Sequence, residues 1–73
     1  AINNRLIVYP NPTPNGMVNI MDFDEFESYE LFTISGKLIQ KGIRNSFRIN
    51  KQGVYVLKVN QIDGNSIIKK IIF

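Results

Sequence analysis

The chain has no cysteine, no histidine and no tryptophan. A Ser-His-Asp triad, a cysteine nucleophile and a zinc site built from histidine or cysteine are therefore impossible. The glycines do not approach the spacing of a dinucleotide-binding or Walker-type phosphate loop, so nothing indicates nucleotide chemistry. These absences exclude most hydrolases and metalloenzymes, and we expect neither a catalytic residue nor a cofactor.

Long hydrophobic runs are also missing. Every apolar run is shorter than about 8 residues, whereas a helix needs roughly 20 to cross a bilayer, and no signal peptide opens the chain. A chain of 73 residues predicts one small domain, which buries only about 60% of the surface that its unfolded form exposes. Without disulfides, the apolar 44% of the chain must supply a single compact core.

What the chain does have is a regular series of turn signals between short β-prone runs. Strands recurring about every 8 to 12 residues, with turn residues between them, predict an all-β fold: a small antiparallel sandwich of about seven strands. We expect a loop at residues 22–28. The predicted strands are residues 6–9, 17–21, 29–34, 38–41, a short strand around 47–49, 54–60, and a last strand that ends at 69–73.

Charge is divided unevenly along the chain. Residues 1–30 carry a net charge of −4 and residues 31–73 a net charge of +7. A basic half suits either an anionic partner or plain solubility. The carboxylates of residues 22–30 are expected in a solvated loop; a calcium site is a weaker alternative and a catalytic pair weaker still, because so small a domain offers no substrate cleft.

Nucleic-acid binding is not expected. It would need exposed aromatic side chains interleaved with basic ones. Phe47 and Arg48 are adjacent in a predicted strand and so point to opposite faces, which makes Phe47 a core residue.

The last strand alternates in an unusual way. Ile68, Lys70 and Ile72 share one face, whereas the other face carries Ile67, Lys69, Ile71 and Phe73. Each face mixes apolar residues with a lysine, so neither is expected to be cleanly buried, and this predicts an edge strand. Two interpretations stay open: the lysines protect the edge against unwanted pairing, or a partner protein captures the edge. Weak self-association through the same edge is a further possibility.

Taken together and in order, the turn phrases resemble the C-terminal sorting domain of the type IX (Por) secretion system, in the variety called type A. The resemblance covers residues 6–73 and implies an immunoglobulin-like sandwich, with residues 1–5 as the end of a linker from an absent cargo protein. The phrases that carry it are Tyr9-Pro10-Asn11-Pro12 with Asn15-Gly16, Ser35-Gly36-Lys37, Gly53-Val54-Tyr55, Asp63-Gly64 and Lys69-Lys70-Ile71-Ile72-Phe73.

The resemblance also implies roles for particular residues. Structural turns are expected at Pro10, Asn11, Pro12, Gly16, Gly36, Lys37, Asp63 and Gly64. Recognition by the translocon is expected at Gly53, Val54, Tyr55, Lys69, Lys70, Ile71, Ile72 and Phe73. For Tyr55 the simpler interpretation is a buried ring whose hydroxyl bonds a backbone group.

Such a domain would be a non-catalytic signal that directs its cargo across the outer membrane. Its implied partners are the cargo, an outer-membrane translocon or shuttle protein, and a sortase that removes the domain. The implied route runs through the periplasm to the cell surface or medium. The alternatives are a carbohydrate-binding or adhesive module, which usually shows a row of exposed aromatic residues, and a purely structural terminal domain.

Overall fold

The computed structural model describes residues 6–21 and 25–73, and these form seven β-strands. The turn residues of the sequence lie between or beside these strands, whereas Lys69-Lys70-Ile71-Ile72 lies within the last one. In chain order the strands are β1 (Ile7–Tyr9), β2 (Met17–Met21), β3 (Phe26–Thr33), β4 (Leu38–Gly42), β5 (Ser46–Arg48), β6 (Val54–Gln61) and β7 (Ser66–Ile72).

The strands form two antiparallel sheets, one in the order β1-β2-β5 and the other in the order β4-β3-β6-β7. In immunoglobulin lettering these are strands A, B and E facing strands C′, C, F and G, the seven-stranded sandwich architecture that fibronectin type III domains share. The predicted all-β sandwich is confirmed. Within the described ranges, no helix is long and apolar enough to cross a membrane.

The core lies between the sheets and is built by alternate residues of each long strand. Leu31 of β3 and Leu57 of β6 are directly paired and fully buried, and Val18 of β2 faces them from the other sheet. Tyr29 and Phe47 join the sheets by stacking, with ring centroids 4.4 Å apart. The predicted core role of Phe47 is confirmed, and Arg48 beside it is exposed.

Two predicted hairpins close through hydrogen bonds across their turns. In the β3–β4 turn the Gly36 amide donates to the Thr33 carbonyl (2.9 Å), and in the β6–β7 turn the Gly64 amide donates to the Gln61 carbonyl (2.9 Å). Both glycines have a positive φ, 96° and 92°, which side-chain-bearing residues rarely adopt. The Asp63 carboxylate also accepts from the Asn65 amide, so this turn is closed twice.

The predicted loop at residues 22–28 is wrong in its second part. Phe26 begins β3, is paired with Gln61, and packs against the core. The acidic residues around Phe26 have low β-propensity, and for this reason the sequence predicted a loop there. Burial of the Phe26 ring against the core stabilises the strand more than these neighbours disfavour it. Residues 22–24, on which the calcium hypothesis mainly depends, lie outside the described residues.

Candidate functional site

The last strand, β7, is an edge strand, as the sequence predicted. It pairs with β6 on one side only, from Val54 opposite Ile72 to Asn60 opposite Ser66. The expectation that neither of its faces would be cleanly buried agrees with the burial along the strand, in which Ile71 alone is fully buried. Phe73 and Ile67 pack against the core beside it, and Lys69 on the same side is half-buried. The exposed residues of the strand are Ser66, Ile68, Lys70 and Ile72.

The outer edge of β7 is partly closed by residues 10–16, here named the proline corner. The side-chain amide of Asn11 donates to the Lys70 carbonyl (2.7 Å), and its oxygen accepts from the Ile72 amide (3.1 Å). The Thr13 amide then donates to the Ile72 carbonyl (2.8 Å). The proline corner therefore takes the place of a neighbouring strand along the last part of β7.

The first part of β7, residues 66–69, is here named the open edge. Its outward backbone groups, including the amide and carbonyl of Ile68, have no further partner among the residues that the structure describes. Unpaired groups of this kind are a template for another strand. The described fold thus leaves one stretch of this edge free and closes the adjacent stretch.

Phe73 is fixed from two directions. Its amide and carbonyl exchange hydrogen bonds with Gly53 (2.9 and 3.0 Å), which continues the β6–β7 ladder beyond the strand. Its ring lies against Gly16, where an added Cβ would come within 3.1 Å of the ring and 2.3 Å of the Ile49 carbonyl oxygen. Gly16 also has a φ of 88°, so both space and backbone require glycine there.

Tyr55 lies at the start of β6 with only 7% of its surface exposed. Its hydroxyl donates to the carbonyl of Lys51, four residues earlier. A tyrosine at the start of strand F that bonds the backbone just upstream is the tyrosine corner of immunoglobulin-type sandwiches. The simpler interpretation of Tyr55 from the sequence matches this geometry, and the side chain offers little surface to a partner.

Most of the sequence phrases meet at one end of the sandwich. The proline corner reaches Ile72, Gly53 reaches Phe73, and the β3–β4 turn adjoins them because Thr33 is paired with Tyr55. The Asp63-Gly64 turn lies at the opposite end, between β6 and the start of β7. The structure therefore brings together all the singled-out residues except those of this last turn.

The solvent side of the four-stranded sheet, here named the outer face, is unusually apolar at this same end. Register aligns Leu38, Phe32, Val56 and Lys70 in one row across all four strands. Val54 and Ile72 are directly paired beside that row, 38% and 41% exposed. In the next row Lys58 lies 3.8 Å from Glu30.

A row of exposed aromatic residues is not present in the described ranges. Tyr29 and Tyr55 are buried, and Tyr9 is the one tyrosine with a large exposed fraction. Carbohydrate platforms and single-stranded nucleic-acid platforms both depend on stacking surfaces. The geometry favours neither.

Sequence reasoning missed the contacts of Asn11 and Thr13. Asn11 was expected only to shape a turn, and Thr13 was not singled out, yet Thr13 is 3% exposed and its hydroxyl accepts from the Gly16 amide (3.0 Å). The sequence feature that could have indicated this contact is the position of Asn11 between Pro10 and Pro12, because neither proline has a backbone amide to donate and the Asn11 side chain can donate instead. Locating its partner 59 residues away needed the fold.

These features define a class: a small immunoglobulin-type sandwich that presents a partly open edge strand beside an apolar face. The family model of the secretion system C-terminal sorting domain matches residues 7–73. The chain belongs to this family. No curated protein matches the chain.

Membership gives the function. The chain is a C-terminal sorting signal of type IX secretion, and the family is non-catalytic. Such a signal implies a cargo protein, the type IX machinery, and export across the outer membrane to the cell surface or the extracellular space.

Proposed function

We propose that residues 6–73 are a sorting domain of type A that the outer-membrane translocon or a shuttle protein recognises through the β6–β7 hairpin. The observation that supports this is the pairing of Val54 with Ile72, both exposed, and of half-buried Val56 with exposed Lys70, which places outward-facing residues of the two strands side by side. Val54, Lys70 and Ile72 are the residues that contact the receptor.

The other residues implied by the family act through the fold. Tyr55 and Ile71 are buried, and Gly53 holds the backbone of Phe73. Lys69 lies on the core side of β7 and is half-buried. These residues position the hairpin, and their loss weakens recognition by distorting it.

The same proposal gives the domain three partners: its cargo, the secretion machinery and a sortase. The cargo precedes the domain and is joined to it through residues 1–5, the machinery meets the folded domain in the periplasm, and a sortase then removes the domain. The open edge supports weak self-association between copies, since its backbone groups accept a further strand.

Truncation is a poor test because removing residues 69–73 also removes buried Ile71 and unfolds part of the core. A sharper test joins the chain to a periplasm-targeted fluorescent cargo and compares two double variants. Lys70→Glu with Ile72→Ser changes the proposed contact; Lys51→Glu with Ile43→Ser makes the same chemical changes at other exposed positions.

We expect the first double variant to retain the cargo in the periplasm and the second to export it like the unmodified chain, with equal thermal unfolding midpoints. Equal export of both would refute recognition through the hairpin.

A further inference from the structure

Two strands that carry none of the proposed recognition residues extend the apolar surface. Leu38 of β4 is 42% exposed and is paired with Phe32 of β3, which in turn is paired with Val56. Lys70 ends the same row. The apolar part of this row therefore covers β4, β3 and β6 and ends at Lys70 on β7.

No internal role accounts for this surface. Side chains alternate along β3, so that Tyr29 and Leu31 are buried in the core. Glu30 between them and Phe32 after them lie on the outer face and are half-buried. A solvent-facing strand position ordinarily carries a polar residue. A contiguous exposed apolar area with polar borders is typical of an interaction site.

The charges beside the apolar row restrict the kind of partner. Lys70 ends the row, and Lys41 and Lys58 occupy the next one with Glu30 between them. Three lysines and one glutamate give these two rows of the outer face a net charge of +2. Apolar residues with charged residues at the border are the usual anatomy of a protein interface, and complementarity then requires carboxylates on the other side.

Two other occupants fit less well. A second copy would bring its own lysines against these lysines, which is a like-charge contact. An anionic lipid surface would bring its phosphates against the half-buried Glu30 carboxylate, which lies 3.8 Å from the Lys58 ammonium and offsets part of its charge. A protein surface can place carboxylates opposite the lysines and a neutral or basic group opposite Glu30, whereas the phosphates of a bilayer are not arranged by position.

We propose that Leu38 and Phe32 extend the recognition surface onto β3 and β4, and that its occupant is an acid-bordered apolar protein surface of the secretion machinery. This rests on the proposed function and names the partner's chemistry. It assigns to the β3–β4 hairpin a binding role in addition to its structural turn.

The test uses opposite charges at one position. Leu38→Glu and Leu38→Lys lose the same apolar contact, but only the glutamate repels an acidic partner. Ile43, 80% exposed and outside the row, gives the matched pair Ile43→Glu and Ile43→Lys. Each variant is placed behind the fluorescent cargo, exported fluorescence is measured, and purified chains are compared by thermal unfolding.

We expect Leu38→Glu to lower export by about tenfold, the loss that removal of an energetically important interface contact produces. Leu38→Lys should lower it less, and both Ile43 variants should match the unmodified chain. Equal export by Leu38→Glu and Ile43→Glu overturns the proposal, and so does an equal loss in both Leu38 variants.

Two further measurements address the rival occupants. If the purified chain sediments as a dimer and its Leu38→Glu variant as a monomer, the face serves a second copy and the proposal is wrong. If the chain binds phosphatidylglycerol vesicles and Leu38→Glu abolishes this, the face serves a membrane and the proposal is wrong again. Failure of the unmodified fusion to be exported overturns the proposed function itself, whereas loss of export in the Lys70 and Ile72 double variant alone overturns only this extension.

Discussion

The side-chain amide of Asn11 lies 2.7 Å from the backbone carbonyl oxygen of Lys70, 59 positions further along the chain. The same side chain accepts from the Ile72 amide, so one residue satisfies two groups that a neighbouring strand would otherwise bind. The first turn of the domain thus stabilises its last strand. If the secretion machinery recognises that strand as proposed, we expect recognition to require the whole domain to be folded.

Replacing Asn11 tests this link. Asn11→Ala removes both hydrogen bonds and should lower the free energy of unfolding by about 1–3 kcal/mol, at roughly 0.5–1.5 kcal/mol for each bond. Urea unfolding measures the difference. Because the Lys70 and Ile72 groups become available, sedimentation should also show more self-association than for the unmodified chain.

Asn11→Asp is the matched control. A carboxylate can still accept from the Ile72 amide but cannot donate to the Lys70 carbonyl. Its stability should fall between the other two chains. Equal stability of all three would mean that the amide does not hold β7.

Glycine is required at Gly36 by backbone conformation alone, and at Gly16 by both backbone conformation and lack of space for a side chain. Both have a positive φ, 88° and 96°, but an added Cβ at Gly36 meets nothing within 4 Å, whereas at Gly16 it lies 2.3 Å from the Ile49 carbonyl oxygen. Gly36→Ala should cost about 1–2 kcal/mol from backbone strain alone.

Gly16→Ala should cost clearly more than Gly36→Ala, because Ile49 or the Phe73 ring must also move. Thermal unfolding of the two variants measures the difference. Comparable losses would indicate that the proline corner does not pack closely against Phe73.

The hydroxyl of Tyr55 should contribute to stability. Tyr55→Phe leaves the ring but removes the bond to the Lys51 carbonyl, at a cost of about 0.5–1.5 kcal/mol. Tyr9→Phe is the control, because Tyr9 is 43% exposed and no bond of its hydroxyl is present among the described residues. If Tyr55 acts only through the fold, Tyr55→Phe should still export cargo at temperatures where it is folded; a folded variant without export would assign the hydroxyl to recognition.

The two faces of β7 should respond differently to the same substitution. Ile71 is fully buried and Ile68 is 60% exposed. Loss of one buried methylene by Ile71→Val should cost about 0.5–1.5 kcal/mol, and Ile68→Val should change stability very little. Urea unfolding distinguishes the two; a larger effect at Ile68 would contradict the assigned orientation of the strand.

Local patterns in the sequence were enough to predict the fold class and most strands. Turn residues such as Gly36 and Gly64 determine their own backbone geometry, so their positions divide the chain without knowledge of the fold. β3 was predicted too short, because the contribution of Phe26 comes from distant core residues and not from its neighbours.

The same limit applies to the candidate site. The sequence predicted that β7 is an edge strand, since each of its two faces carries a lysine between isoleucines. It did not predict which face of β7 is buried, because that depends on how β6 positions the strand over the opposite sheet. The bonds from Asn11 to Lys70 and Ile72, and the row from Leu38 to Lys70, join residues that are far apart in the chain and appear only when the sheets assemble.

The most direct test is a fusion of residues 1–73 behind a periplasm-targeted fluorescent protein, expressed in a type IX-competent bacterium and in the same strain without its translocon. We expect fluorescence at the cell surface or in the medium of the first strain and in the periplasm of the second. Retention in the periplasm of both strains, or export from both, would contradict the assignment of this chain as a type IX sorting signal.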